Sequence, residues 1–377
     1  MKQSKTKQIK TPPTIDILAQ RAGVSPATVS LVLNNKGKVA DDTRRHILKI
    51  AEELNYKPKR RRSAIPDHRR YIELLIEELP IPVFADGFCS EIIHGVETAA
   101  NEMGFRLLLS VIRREDNKLE LPPILNPDEI LGLIVIGGGD LDDEYIKQLK
   151  DRGLPLILVD NYVEGEELNC VLSDNISGGY QATKHLIELG HRRIGMIRGP
   201  KKYKPLMERY QGYLLALHEN GIPVQPELIP PRLSHGLRKG YDEMCALLDL
   251  PEPPTAVFVV SDKTAINALQ AIKDRGLRVP QDIALVSFDD IAEAQIQNPP
   301  LTTVRVAKKE MGQLAVQKLL SLVRGDLSCA SRTVLYTKLV IRESCGMHLS
   351  KTGRNNTRNG SGSSLELVAR DNPSDDR

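Results

Sequence analysis

Asp160 closes the apolar run LILV, Ser261 and Asp262 close VFVV, and Asp289 and Asp290 close VSF. A polar residue ending a buried parallel strand faces the crevice at the carboxyl edge of the sheet, where open α/β folds bind their ligands. The chemistry these residue types support is charge-assisted hydrogen bonding to a polar small molecule. Asp174, Asn175 and Asp262 also precede helical periodicity, so they read as helix N-caps rather than ligand contacts. Nothing resembles a nucleophile elbow or a catalytic dyad, and no catalytic residue, metal or cofactor is expected. GGG at 137–139 lacks the spacing of a phosphate loop and reads as a turn. His185 and His191 have no partner at ligand spacing and read as structural. Cys89, Cys170, Cys245, Cys329 and Cys345 form no CxxC pair, which fits reduced thiols.

The elements that must position those residues are short apolar runs alternating with helical segments. IELLIEEL (72–79), FRLLLSVI (105–112), GLIVIGG (132–138) and LPLILVDN (154–161) form one set, and RIGMIRG (193–199), TAVFVVSD (255–262) and DIALVSFDD (282–290) a second. Runs this apolar belong to strands covered on both faces, so the body is predicted as two doubly wound parallel-sheet lobes. No run approaches the roughly 18 apolar residues of a membrane span.

Upstream, residues 14–35 carry a different chemistry. Ile15, Leu18, Ala19 and Ala22 recur at helical spacing after a capping Thr14, and Gly23 supplies a reversal. Ser25 and Pro26 then open a second helix whose Val29, Val32 and Leu33 point inward. Ala27, Thr28, Ser30, Leu31 and Asn34 are left outward, a small and polar face suited to a major groove. A third helix over 41–54 carries the stripe Ile47, Ile50, Ala51 and Leu54, with Asp41 and Asp42 at the positive end of its dipole. Charge agrees with the helix-turn-helix reading: residues 1–62 hold fifteen Lys or Arg against five Asp or Glu, whereas the remainder holds 37 against 44. A basic head on an acidic body is the electrostatic footprint of phosphate binding, and KPKRRR at 57–62 carries five of the fifteen cations.

The stretch TIDILAQRAGVSPATVSLVLN, followed by DDTRRHILKIAEELNYKP, resembles the DNA-binding head of the lactose/galactose-repressor family of bacterial transcription regulators. Further blocks from Tyr71 to about Cys345, including SDNISGGYQATKHLIELGHRRIGMIRGP and FVVSDKTAINALQAIKDRGLRVPQDIALVSFDD, are similar to the family body. The resemblance implies an α/β chain: a three-helix head, then two lobes of the periplasmic-binding-protein type. It places Arg209 and Asp289 at the effector, on opposite walls of the cleft, with Asp160 and Ser261 as further polar contacts. DGFC at 86–89 stands where the family writes Asn-Pro-aromatic-aromatic, making Asp86 and Phe88 the contacts of the first lobe. With no Trp, five Phe and ten Tyr in the chain, Phe88 and Phe288 are the candidate stacking faces for a sugar, a core role suiting either one equally well.

Two departures bear on DNA. Family members that read guanine often carry Arg at the position of Leu31, so readout here leans on thymine methyl contacts and on Thr28, Ser30 and Asn34. In the hinge, Tyr56 and Pro58 are kept, Arg60, Arg61 and Arg62 add charge, and Ile65 stands at the minor-groove wedge, directly before Pro66. The expected organisation is a basic arm (1–13), a helix-turn-helix domain (14–58), a hinge (59–70), a two-lobed effector and dimerisation domain (71–345) and a disordered tail (346–377). Within the body, lobe 1 is expected at 71–172 and 303–331, lobe 2 at 173–302 and 332–345, with three crossovers between them.

The expected partners are a pseudo-palindromic double-stranded operator, a small-molecule effector of the sugar class and a second copy of the chain, with a tetramer as the alternative. The expected location is the bacterial cytoplasm, at the nucleoid. The rival classes are a periplasmic-type sugar-binding protein, disfavoured because residues 1–13 lack an apolar secretory core, and a non-specific DNA-binding regulator without an effector.

Overall fold

The computed structural model describes residues 14–33, 39–54, 56, 70–79, 81–112, 128–137, 141, 143–233 and 238–347, with the backbone of 114–115 and 118–119. The basic arm, Asn34, the hinge residues Arg60, Arg61, Arg62, Ile65 and Pro66, and the tail from 348 lie outside the described residues. The chain separates into two compact units, 1–63 and 64–377.

In the head, helices α1 (Ile15–Ala22), α2 (Pro26–Leu33) and α3 (Asp41–Glu53) close on one small core. The Thr14 hydroxyl accepts the Ile17 N–H, and Gly23, at φ 66°, turns the chain and returns its N–H to the Ala19 carbonyl. Ser25 Oγ accepts the Thr28 N–H at 3.1 Å, and Pro26 opens α2, where its missing N–H leaves nothing unsatisfied. Leu18, Ala19, Val29, Val32, Ile47, Ile50 and Ala51 are buried together, with Val24, Leu33 and Tyr56 packed against them. Tyr56 is therefore placed in the packing of the head.

The first lobe is built from β1 (Tyr71–Glu77), α4 (Gly87–Glu102), β2 (Arg106–Ile112), the small hairpin β3 (Arg114–Glu115) and β4 (Lys118–Leu119), β5 (Ile130–Ile136), α5 (Asp143–Asp151), β6 (Leu156–Val159) and β7 (Asn169–Ser173). The chain then enters the second lobe through α6 (Asn175–Glu188), β8 (Ile194–Ile197), α7 (Lys204–Glu219), α8 (Tyr241–Leu248), β9 (Ala256–Val259), α9 (Asp262–Asp274), β10 (Ala284–Asp289), α10 (Ala292–Gln295) and β11 (Thr302–Arg305). It returns to the first lobe for α11 (Lys308–Val323) and β12 (Arg332–Leu335), and ends in the second with β13 (Lys338–Val340). The first sheet runs β12-β7-β6-β5-β1-β2, all parallel. The second runs β13-β11-β10-β9-β8, with only β13 antiparallel. Each apolar run singled out in the sequence contains a strand, and the inner strands β5, β6, β9 and β10 are buried along their whole length.

The crossovers fall differently from the expected lobe boundaries. Strand β11, assigned above mainly to lobe 1, pairs with β10 from Val286↔Thr302 to Asp289↔Arg305. Strand β12, assigned to lobe 2, pairs with β7 from Arg332↔Cys170 onward. In both cases the chain finishes a strand before it changes lobe, so the passages lie at Asp174, Val306–Ala307 and Tyr336–Thr337.

Each lobe brings two helices into backbone contact through a pair of glycines. In the first, a Cβ on Gly95 would lie 2.1 Å from the Lys309 carbonyl oxygen and one on Gly312 2.2 Å from that of Ile92. In the second, a Cβ on Gly179 would lie 2.2 Å from the Arg209 carbonyl oxygen and one on Gly212 2.2 Å from that of Ile176. Backbone cannot swing aside as a side chain can, so a methyl here must push α7 off α6. Gly179→Ala and Gly212→Ala are each expected to destabilise the body by about 1–3 kcal/mol. Thermal melts showing wild-type midpoints for both variants would contradict the close packing of this crossing.

Candidate functional site

The carboxyl ends of the two sheets face a cleft of about 710 Å³. From the first lobe it is lined by Asp86, Phe88, Cys89, Gly137, Asp143, Asp160 and Asn161, and from the second by Tyr203, Lys204, Arg209, Ser261, Lys263 and Asp289. Six of the seven sequence-predicted residues thus meet there. The seventh, Phe288, is fully buried and forms no part of the lining. Its ring lies beneath the Arg209 guanidinium, 3.8 Å from Cζ to the centroid. Phe88 does line the cleft, half-buried, and the second aromatic wall is Tyr203, which sequence reasoning missed.

Arg209 forms the floor. Its Nη1 donates to Asp289 Oδ1 at 2.8 Å and to the Val260 carbonyl at 2.6 Å, while Nε donates to Asn175 Oδ1 at 2.9 Å. Arg209 is 2 % exposed and Asp289 6 %, so the pair is desolvated and its strength rests on these three hydrogen bonds, which engage Nε and Nη1. Both residues belong to the second lobe, which corrects their expected placement on opposite walls. Asn175, predicted as a cap, instead orients Arg209, and its Nδ2 donates to Glu208 Oε2 at 3.0 Å. Asp174 is the cap, accepting the Ser177 N–H.

Asp262 departs from the capping expectation as well. Ser261 takes that role, its Oγ accepting the Thr264 N–H. Asp262 is wholly buried and accepts the Ser287 and Thr303 hydroxyls and the Ile291 N–H, tying β10 to β11.

Across the cleft, Asp160 Oδ1 is out of solvent with no hydrogen-bond partner among the described residues. Burial pushes this carboxyl up to about 7; Arg209 opposes the shift, while Asp289 and Glu208 add to it. Asp160 and Asp289 hold φ values of 57° and 114°, a backbone region that costs residues with a side chain about 1–3 kcal/mol and gathers at functional sites. The Cys89 thiol is pushed up to about 12 by burial, Asp160 and Asp289, so it meets a ligand as a neutral group.

Ion pairs join the lobes at the rim. Asp86 caps α4 by accepting the Phe88 and Cys89 N–H groups and pairs with Lys263 of the other lobe. Lys204 reaches Asp143 at 2.6 Å and the Tyr162 carbonyl, and the Tyr162 hydroxyl donates to Glu208 at 2.9 Å. Neither lysine has a signal in the sequence that separates it from a surface helix residue.

In the head, Ser25, Pro26, Ala27 and Leu31 are exposed on one side of α2, whereas Thr28 and Ser30 are half-buried. Leu31 is 42 % exposed, so its side chain is open to contact on the same side as Ala27.

Residues 14–59 match the family described as "Bacterial regulatory proteins, lacI family", and residues 183–345 match a "Periplasmic binding protein-like domain". The HTH-type transcriptional repressor CytR of Escherichia coli (strain K12) is 33% identical over 341 residues, 90% of this chain and 98% of that protein. The chain belongs to the lacI family of bacterial transcription regulators. The same regulator is 32% identical over 336 residues to the repressor PurR of Pasteurella multocida (strain Pm70), covering 88% of this chain and 98% of that one. Among solved structures it is similar to a transcriptional regulator CelR–cellobiose complex, with TM-score 0.65, 32% identity and coverage of 88% and 99%. It is also similar to a Lac repressor dimer bound to operator and the anti-inducer ONPF, with TM-score 0.63, 26% identity and coverage of 89% and 99%. The lacI-family regulator thus joins a DNA-binding head to an effector-type body. Among its described residues no helix is long and apolar enough to cross a membrane.

Asp160 and Asp262 are both raised to about 7, against roughly 4 for a carboxyl in an unfolded chain. Between those values the folded regulator binds protons that the unfolded chain has released, so these groups lower stability as pH rises from about 4 to 7. Asp160→Asn cannot ionise. It is expected to raise the melting midpoint clearly at pH 8 and barely at pH 5; an equal effect at both would sink the assignment.

Proposed function

We propose that this regulator is a repressor that binds a pseudo-palindromic operator as a homodimer in the bacterial cytoplasm and changes its hold on DNA when a sugar or sugar derivative fills the cleft. The observation that carries the effector reading is the buried, unpartnered Oδ1 of Asp160 lying in one cleft with the Arg209–Asp289 pair. A ligand hydroxyl satisfies Asp160, and neighbouring hydroxyls meet Asp289 and Asn161, while Phe88 and Tyr203 offer apolar faces to the ring. The relatives agree in kind: CytR and PurR are repressors, and CelR is solved with cellobiose.

The cleft binds and does not turn over. Its ligand acts by favouring one lobe arrangement, and it shifts the equilibrium only by the difference between its affinities for the two. The rim pairs Asp86–Lys263 and Asp143–Lys204 span the lobes and would be remade or lost in such a shift. On DNA, α2 enters the major groove with Ala27, Thr28, Ser30 and Leu31, and Asn34 is a further expected contact. Ser25 and Thr14 position their helices, and Arg60, Arg61, Arg62 and Ile65 carry the minor-groove and phosphate contacts.

Selection of bound sites from a random duplex library, with and without a panel of sugars, is expected to enrich one palindrome whose retention depends on one compound. Leu31 makes no bidentate contact, so the selected site has no guanine requirement opposite it, and Leu31→Arg introduces one worth about 1–3 kcal/mol. A wild-type preference for that guanine would contradict the assignment of α2. Arg209→Ala is expected to weaken effector binding by on the order of 100-fold while operator affinity in the absence of effector stays at the wild-type value. Unchanged effector affinity in calorimetry would remove Arg209 from the site.

A further inference from the structure

Behind the second-lobe wall of the cleft lies a smaller cavity of about 120 Å³ that shares Tyr203, Leu206, Ser261 and Lys263 with it. Its other walls carry Arg198, Arg232 and Lys239, so four cations face it against a single carboxylate, Glu243. That carboxylate is already committed to the wall, accepting the Leu233 N–H at 2.8 Å and the Gly240 N–H at 2.9 Å. Lys263 is paired with Asp86 and lies in the field of Asp289 and Glu293, so it is spoken for, and the annex depends on Arg198 and Lys239. Arg198 is half-buried with its guanidinium over the Tyr210 ring, 5.9 Å to the centroid, which holds it in place without neutralising it.

The backbone adds to the same field. Helices α8 and α9 both begin at this cavity, at Gly240 and Ser261, and they begin in contact: a Cβ on Gly240, at φ 92°, would lie 2.3 Å from the Thr264 carbonyl oxygen. Two positive helix ends and a cluster of like charges converge at the back of an effector cleft. An anion held by Arg198 and Lys239, both half-buried, offsets the cost of their desolvation.

We propose that this annex holds the phosphoryl group of the effector, so that the ligand of the main cleft is a phosphorylated sugar whose ring sits over Arg209 and Asp160. The proposal rests on the effector reading given above. The annex has room for one compact anionic group. Lys239 is half-buried, and burial, then Arg232, pull its ammonium below the ordinary lysine value, with Glu77 pulling the other way. Arg198 and Lys239 are the specificity-determining residues, acting on the anion and not on the ring.

The test uses the full-length protein and three probes: inorganic phosphate, a panel of neutral sugars, and the 6-phosphates of the same sugars. Phosphate is expected to raise the melting midpoint above a chloride control of equal ionic strength. One phosphorylated sugar is expected to bind at least 10-fold tighter than its neutral parent in calorimetry. Lys239→Gln and Arg198→Gln abolish both effects, and Lys239→Arg restores them. A phosphorylated sugar that binds no tighter than its parent, or a phosphate effect that survives both substitutions, overturns the annex while leaving the effector reading intact. Absence of any ligand-dependent change across all three probes, with a palindrome still selected, overturns both. If Lys239→Gln lowers the midpoint without ligand, Lys239→Arg alone decides: its failure to retain the 10-fold preference for the phosphorylated sugar counts against the annex.

Discussion

A guanidinium can be taken out of water only where the fold supplies an acceptor for its donors and a face for its plane. Arg209 has both, and satisfying it requires four elements to meet at one point. Asn175 opens α6, Val260 follows β9, Asp289 ends β10 and Phe288 lies one residue before it. The arginine itself rides on α7, whose height above the sheet is set by backbone contact at Gly179 and Gly212. The second wall of the cleft is therefore a consequence of helix packing as much as of the polar residues that face the ligand. Burial of the whole set gives the site its rigidity, since no member can leave without stranding a charge.

The cleft and an anchor of the second passage between lobes are one residue apart, because Asp290 holds Arg305, directly before Val306. Asp289 faces the ligand space, whereas Asp290 turns away to pair with Arg305 and Arg342, both at 2.6 Å. Beneath them Lys308, 2 % exposed and on the first lobe's α11, donates to both aspartate carbonyls at 2.7 and 3.1 Å and lies 3.4 Å from Glu91. Both aspartates hold positive φ, so the dipeptide is kept in an unfavourable backbone region by contacts from both lobes. A change in lobe angle acts on the same backbone that presents Asp289 to a ligand.

Much of this was legible from residue types and spacing because the relevant physics is local. Gly23, Ser25 and Pro26 specify the head's turn by backbone requirements that few residues meet, and the unbroken apolar runs could only be strands covered on both faces. Asp160, Ser261 and Asp289 were found because they interrupt such runs. Tertiary choices were hidden. Asn175 and Asp262 have the type and position of helix caps, and only the approach of Arg209 or of Ser287 and Thr303 decides otherwise. Phe288 is a hydrophobic residue at the end of a strand whichever way its ring turns. Lys204, Lys239 and Lys263 read as solvated helix or turn residues, because nothing in one chain's order reveals what another lobe will bring against them. The misplaced boundaries at β11 and β12 have the same origin: strand character is local, but membership of a sheet is not.

The three passages between lobes also order events during synthesis. Among the described residues the head's core draws on none beyond Tyr56, so it can close while most of the chain is still unmade. The body cannot finish by halves. Its first sheet gains its last strand only at Leu335 and its second only at Val340, and until then both present open strand edges whose partners lie far ahead in the chain. A nascent chain thus acquires its folded head well before the body that must pair and respond to the effector. Premature termination anywhere in the body would leave a folded head attached to lobes with exposed edges, a product prone to aggregate and deaf to its effector.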